Sequence, residues 1–249
     1  MMNTTFFKTT TLAVTCAALM ACGGGGDTPD PVSPSPSPSP SPSPSNVTAQ
    51  GLWQSSEGAA TTISTLVTDN GQVWSVLSNA GITRLVKTNL AASSTGFTSA
   101  GKAFVLGTTT VDAVTLNAAA VAKSSLKGNI SSTTQTEPFS LAYQTRYETR
   151  ATLIDFAGVT WSATLGSGTV NWSISSSGVI TGTRTTGCTY VGQISLRAET
   201  KAVADVVVTE SCPAVTQLTG VAVKTTDNTG ITIMLTTTEN TQAVLLGLR

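Results

Sequence analysis

From residue 47 onward the chain is written in short stretches where apolar and polar side chains alternate. In the run Thr189-Tyr190-Val191-Gly192-Gln193-Ile194-Ser195-Leu196-Arg197-Ala198-Glu199, the even positions hold Tyr, Gly, Ile, Leu and Ala, and from 193 the odd ones are polar. A period of two is the mark of a strand with one buried face. The following run, Ala204–Ser211, reads as its return strand after a turn at Glu199-Thr200-Lys201. If that hairpin is centred on Thr200, facing residues have numbers that sum to 400: Ile194 meets Val206, Leu196 meets Ala204, and Cys188 meets Cys212. One register thus gathers the apolar residues on one face and sets the two cysteines opposite each other. Directly opposed Cα atoms in a non-hydrogen-bonded pair lie about 4.5 Å apart, within reach of a disulfide.

Turn chemistry divides the rest of this body. Asp69-Asn70-Gly71 separates Thr61–Val67 from Gln72–Ser78, a strong hairpin signal. Ser177-Gly178 separates Thr169–Ser175 from Val179–Thr183, and Asp227-Asn228-Thr229-Gly230 separates Gly220–Lys224 from Ile231–Thr236. Thr, Val, Ser, Ile and Leu dominate, as suits strands. Gly51-Leu52-Trp53 opens one half and Gly158-Val159-Thr160-Trp161 the other, a faint internal echo. Between them Arg150–Phe156 has helix-like character, with Leu153 and Phe156 three apart. The expectation is an all-β domain over 47–249 with halves 47–149 and 150–249. Antiparallel meanders of roughly ten to twelve strands would form a barrel or two packed sheets, with one short helix between the halves. Trp53, Trp74, Trp161 and Trp172 fall inside alternating strands, so they read as core.

The first 46 residues follow different rules. Residues 1–21 carry Lys8 and then a short apolar run from Thr9 to Ala21. Crossing a bilayer takes about 20 apolar residues, so this stretch is expected to be a signal peptide. Its end, Leu19-Met20-Ala21-Cys22, resembles the lipobox of bacterial lipoproteins. That resemblance implies diacylglyceryl transfer to the Cys22 sulfur, cleavage before Cys22 and acylation of the new amine. Residues 22–46 form the lipidated cysteine and a linker: Gly23–Gly26 is a flexible joint, and eight of the ten prolines lie between Pro29 and Pro44. Alternating Ser-Pro excludes helix and sheet and populates extended polyproline II, a standoff of up to roughly 70 Å. Gly23 in place of an aspartate favours the outer membrane under the commonest enteric sorting rule.

Export changes the meaning of the cysteines. Cys16 leaves with the leader and Cys22 is acylated, so Cys188 and Cys212 remain as a pair that an oxidising compartment would join. Charge adds exclusions. Lys plus Arg and Asp plus Glu both number 13, with no basic stripe for nucleic acid. Histidine is absent, which removes the commonest general base and transition-metal ligand. Lys123-Ser124 and the turn acid Asp227 read as solvated surface and plain turn. No catalytic residue, metal site or cofactor is assigned. Tyr190 and Glu210 are the candidate ligand contacts, since the hairpin register turns Glu210 inward opposite Tyr190; the alternative is a simple Tyr–Glu hydrogen bond beside the disulfide.

The chain resembles a group of Gram-negative lipoproteins. The shared features are the lipobox, the low-complexity stalk, the G-x-W or G-x-x-W opening of each half, Tyr143 and Tyr147 before the mid-chain segment, and the run SGVITGTRTTGCTYVGQI with a later cysteine. The resemblance implies fold and location, and the group supplies no activity to transfer. A more distant similarity of architecture is to the small barrels of transferrin-binding protein B and factor-H-binding proteins. The expected function is therefore that of an outer-membrane-anchored lipoprotein, not an enzyme, acting by binding or as a structural component of the envelope. Its partners would be the membrane, through lipid, and a protein or small apolar ligand. A lipocalin-like carrier and a periplasm-facing enzyme inhibitor are the alternatives.

Overall fold

The computed structural model describes residues 49–90, 96–158, 160–165, 168–197, 201–212, 214–225 and 230–248. Residues 1–21, expected as a leader, Cys22 and the Ser-Pro run lie outside these residues.

The first half is a closed antiparallel barrel. Its strands are β1 (Gly51–Gln54), β2 (Thr62–Val67), β3 (Gln72–Asn79), β4 (Ile82–Asn89), β5 (Gly96–Val105), β6 (Val111–Val121), β7 (Ser125–Ser131) and β8 (Thr136–Tyr143). Each pairs with its successor, and β1 closes on β8 through Trp53 opposite Tyr143 and Gln54 opposite Ala142. An eight-stranded barrel is just wide enough for its own side chains to fill. Trp53, Val73, Val86, Leu116, Leu126 and Leu141 do so, and alanine and glycine fit the narrow places. Gly128, for instance, lies against β6 so closely that a Cβ there would be 2.0 Å from the Asn117 carbonyl oxygen. The interior also holds hydroxyl pairs that satisfy one another: Thr65 with Ser75 at 2.8 Å, and Thr88 with Ser99 at 2.5 Å.

Two 3₁₀ turns, Thr145–Glu148 and Leu153–Asp155, connect the halves. The helical segment expected over Arg150–Phe156 thus shrinks to one turn, whose start is fixed by Thr152 donating to the Asp155 carboxylate from its amide (2.7 Å) and its hydroxyl (2.9 Å).

The second half contains β9 (Thr160–Leu165), β10 (Gly168–Ile174), β11 (Val179–Arg184), β12 (Thr189–Leu196), β13 (Val203–Cys212), β14 (Ala214–Lys224), β15 (Ile231–Thr237) and β16 (Ala243–Leu248), again in sequential antiparallel order. The sheet curls until β16 runs beside β9, although no ladder joins them. Trp172, Ile180, Ile194, Val208, Ile233 and Leu246 fill its inside.

Sixteen strands in two eight-stranded sheets replace the ten to twelve expected. The shortfall has a physical cause. Asn79 pairs with Ile82, so the β3–β4 loop is only Ala80-Gly81, and both residues have positive φ (47° and 80°). The β6–β7 loop turns at Lys123 with φ of 52°. Alanine and lysine are not turn-forming residues, so these hairpins lack the Asn-Gly or Asp-Gly signature that marks such turns.

The two bodies meet through their outer faces. Leu52, Leu66, Trp74 and Leu85 of the barrel pack against Val203, Val221, Val223 and Met234 of the second sheet, with Tyr147 between them. Polar contacts ring this seam. Lys87 Nζ donates to Thr236 Oγ1 (2.9 Å) and Asn240 Oδ1 (3.1 Å), Arg197 bridges Asp69 to Asp205, and Lys201 Nζ reaches Glu148 (2.5 Å).

Candidate functional site

The hairpin built from β12 and β13 has the expected register. Every pair from Thr189–Ser211 to Leu196–Ala204 sums to 400. Continuing it sets Cys188 opposite Cys212, with Cα atoms 4.6 Å apart and the sulfurs at bonding distance. Glu210 is inward, and Tyr190 donates its hydroxyl to the Glu210 carboxylate at 2.7 Å. Tyr190 is buried against Trp172, ring centroids 5.6 Å apart. Burial, reinforced by the bond to Glu210, pushes its phenol well above the ordinary range, so it stays a donor. The pair is therefore satisfied internally, which favours the hydrogen-bond reading over a ligand contact. The Glu210 carboxylate and both sulfurs lie within 4.8 Å of one another, but joined sulfurs supply no thiolate ligand.

The other sequence candidates resolve as structure. Lys123 pairs with Glu148 at 2.9 Å. Asp227 and Asn228 lie outside the described residues, as does Cys22. All four tryptophans are buried. The large apolar residues left exposed among the described ones, such as Val191, Val215 and Ile154, are aliphatic rather than aromatic.

What the sequence did not show is a cleft at the seam between the barrel and the curled second sheet. Its walls are outward sheet faces: Leu52, Leu66 and Val76 on one side, Val223, Met234 and Leu245 on the other, around a cavity of about 330 Å³. A second cavity of about 220 Å³ adjoins it, lined by Arg146, Arg150, Ala151, Asp155 and Ala202. Arg146, Val223, Lys224 and Thr225 border both. Arg146 stands on the first 3₁₀ turn and donates from Nη1 to the Lys224 carbonyl at 2.9 Å. Its Nε is buried and has no hydrogen-bond partner. Burial lowers the Arg146 pKa from its ordinary value, the direction expected of a cation short of compensation. Lys224 Nζ is held by Asp155 at 2.9 Å. No residue pattern could have pointed to this site, because its walls come from β1–β3 and from β14–β16 and meet only after the halves pack.

Beside the cleft, Glu148 gathers Lys201, Tyr143 and Lys123. Hydrogen bonds from Lys201, then Tyr143, then Lys123 hold its carboxyl down at about 2. This cluster clips the end of β8 to the start of β13, assisted by Ala151 N–H donating to the Lys201 carbonyl at 3.0 Å and Ala202 N–H to the Tyr147 carbonyl at 3.1 Å.

No family model matches the chain, and no curated protein or solved structure matches it.

Proposed function

We propose that the chain is a lipid-anchored lipoprotein of the outer membrane, whose all-β body acts by binding or as a structural component of the envelope and not by catalysis. The observation that carries this reading is Leu19-Met20-Ala21-Cys22 followed directly by a Gly and Ser-Pro linker, a lipobox ahead of a spacer. The Cys188–Cys212 pair at disulfide distance supports it, since such bonds persist in exported proteins. The surface of the first barrel supports it too. Thr98, Lys102, Lys127 and Ser140 point outward and are exposed, the reverse of the apolar belt of a membrane-spanning barrel. No helix among the described residues is long and apolar enough to cross a membrane. A body of this kind reaches the membrane through its lipid, and two or three acyl chains hold where one would not.

The carrier reading gains one observation, the cleft between the barrel and the second sheet, and loses the location first expected for it. The interior of the first barrel is occupied by side chains, and the cavity at its mouth beside Arg84, Asp112 and Glu137 holds about 70 Å³. The test of anchoring is palmitate labelling with membrane fractionation in the native host. The chain should take the label and sediment with outer membrane, and Cys22→Ala should lose both. Equal labelling of the variant would remove the proposal.

A further inference from the structure

We propose that the cleft between the barrel and the second sheet binds a single-chain anionic amphiphile of the fatty-acid class, with its carboxylate on Arg146 and its hydrocarbon between the two bodies. This deepens the reading of the chain as a binding protein and rests on it for the absence of turnover, while standing apart from the anchor at Cys22.

Arg146 marks the head-group end. A guanidinium is planar and offers its donors in a fork that matches a carboxylate. Here Nη1 is committed to the Lys224 carbonyl, and Nε is buried with nothing to donate to. A buried donor left unmade is costly, and more so on a charged group. Charge favours an anion as well. The two cavities are bordered by three cations, Arg146, Arg150 and Lys224, and one anion, Asp155, an excess of 3 − 1 = +2. Asp155 is already engaged by Lys224 and Thr152, so it leaves Arg146 uncompensated.

The apolar walls mark the tail end. On the far side of Arg146 the cleft is flanked by Leu52, Leu66, Val76, Met234 and Leu245, and its volume of about 330 Å³ lies at the small end for ligand sites. The groove continues past Gln54, Ser64 and Val76 into an open trough along β1–β3, which lets a longer chain run out of the cleft. A polypeptide fits these walls poorly. They are strand faces, and β1, β2, β3, β14 and β15 are each paired on both edges, so these five present no free ladder to an added strand.

Isothermal titration calorimetry of the full chain carrying Cys22→Ser, so that no covalent lipid competes, tests this with decanoate as probe. The expected result is saturable binding of one equivalent, weaker by at least tenfold in Arg146→Gln, with decanol binding weakly and alike to both. Val76→Trp, which fills the apolar end, should abolish binding of both probes. Circular dichroism establishes that each variant is folded; should Arg146→Gln not fold, Val76→Trp and the decanoate-to-decanol ratio still decide. No saturable decanoate binding, equal affinity for decanoate and decanol, or an unchanged Arg146→Gln would overturn the proposal. A synthetic peptide of residues 23–48 that binds where decanoate does not would assign the cleft to the chain's own linker. None of these results bears on palmitate labelling at Cys22, so the two readings fail separately.

Discussion

Trp53 and Tyr143 stand opposite each other where β1 closes on β8, their rings meeting edge-on with centroids 5.1 Å apart. The contact is possible because residue 51 is glycine. Its φ is +154°, and a Cβ there would lie 2.5 Å from Tyr143 Cε2 and 3.2 Å from Trp53 Nε1. Gly51→Ala must therefore push the tyrosine off the tryptophan at the point that seals the barrel. Overpacking of this kind costs about 1–3 kcal/mol. Urea unfolding followed by tryptophan fluorescence should show a lower midpoint, and an unshifted midpoint would mean the closure does not depend on this contact.

The Cys188–Cys212 pair closes a loop of sequence separation 24. In the chain-entropy model, closing a loop of that size stabilises by about 3 kcal/mol. Replacing both cysteines with alanine should remove about that much. Non-reducing peptide mapping of exported protein should recover the two cysteines in one linked fragment, and two free thiols would contradict the pairing.

Glu148 gives the fold an acid-sensitive joint. Its carboxyl is lowered from 4.5 to about 2, chiefly by the hydrogen bond from Lys201. A carboxyl with a depressed folded-state pKa stabilises fully above its unfolded value and loses that contribution as pH falls through the folded one. The stability gap between the native chain and Glu148→Gln should thus be constant above about pH 4.5 and close between there and about pH 2. Denaturant titrations at stepped pH read this directly, and a gap that persists at pH 2 would show that Glu148 acts by shape rather than charge.

Ala80 is a place where the chain can be improved. It occupies a two-residue hairpin loop at φ 47°, a left-handed conformation that costs an L-residue roughly 1–2 kcal/mol. Asparagine tolerates this region and favours such loops. Ala80→Asn should raise the thermal midpoint, whereas Ala80→Val should lower it.

The strands were legible where turn residues or cysteines fixed a register. The β12–β13 hairpin was the clearest, because the period-two pattern and the spacing of Cys188 and Cys212 give the same pairing. The echo between halves has a structural counterpart: Trp53 donates its indole N–H to the Ala49 carbonyl (2.9 Å) and Trp161 to that of Phe156 (2.6 Å), each tying the entry of its half to its core. The β3–β4 and β6–β7 hairpins were hidden by Ala80 and Lys123 at left-handed positions. Arg146 was hidden for another reason. It belongs to no motif, and its role arises from the neighbours that tertiary packing gives it: Lys224 far along the chain, and the outer faces of the barrel and the second sheet. Tyr190 and Glu210 face each other in the register that the alternation gives, and the tyrosine donates to the carboxylate.

The anchor at Cys22 is the claim on which location depends, and the mass of the mature amino terminus tests it most directly. The account predicts an N-terminal peptide beginning at Cys22 and heavier by a diacylglyceryl group plus an amide-linked acyl chain. An unmodified cysteine, or a mature chain that starts elsewhere, would contradict it.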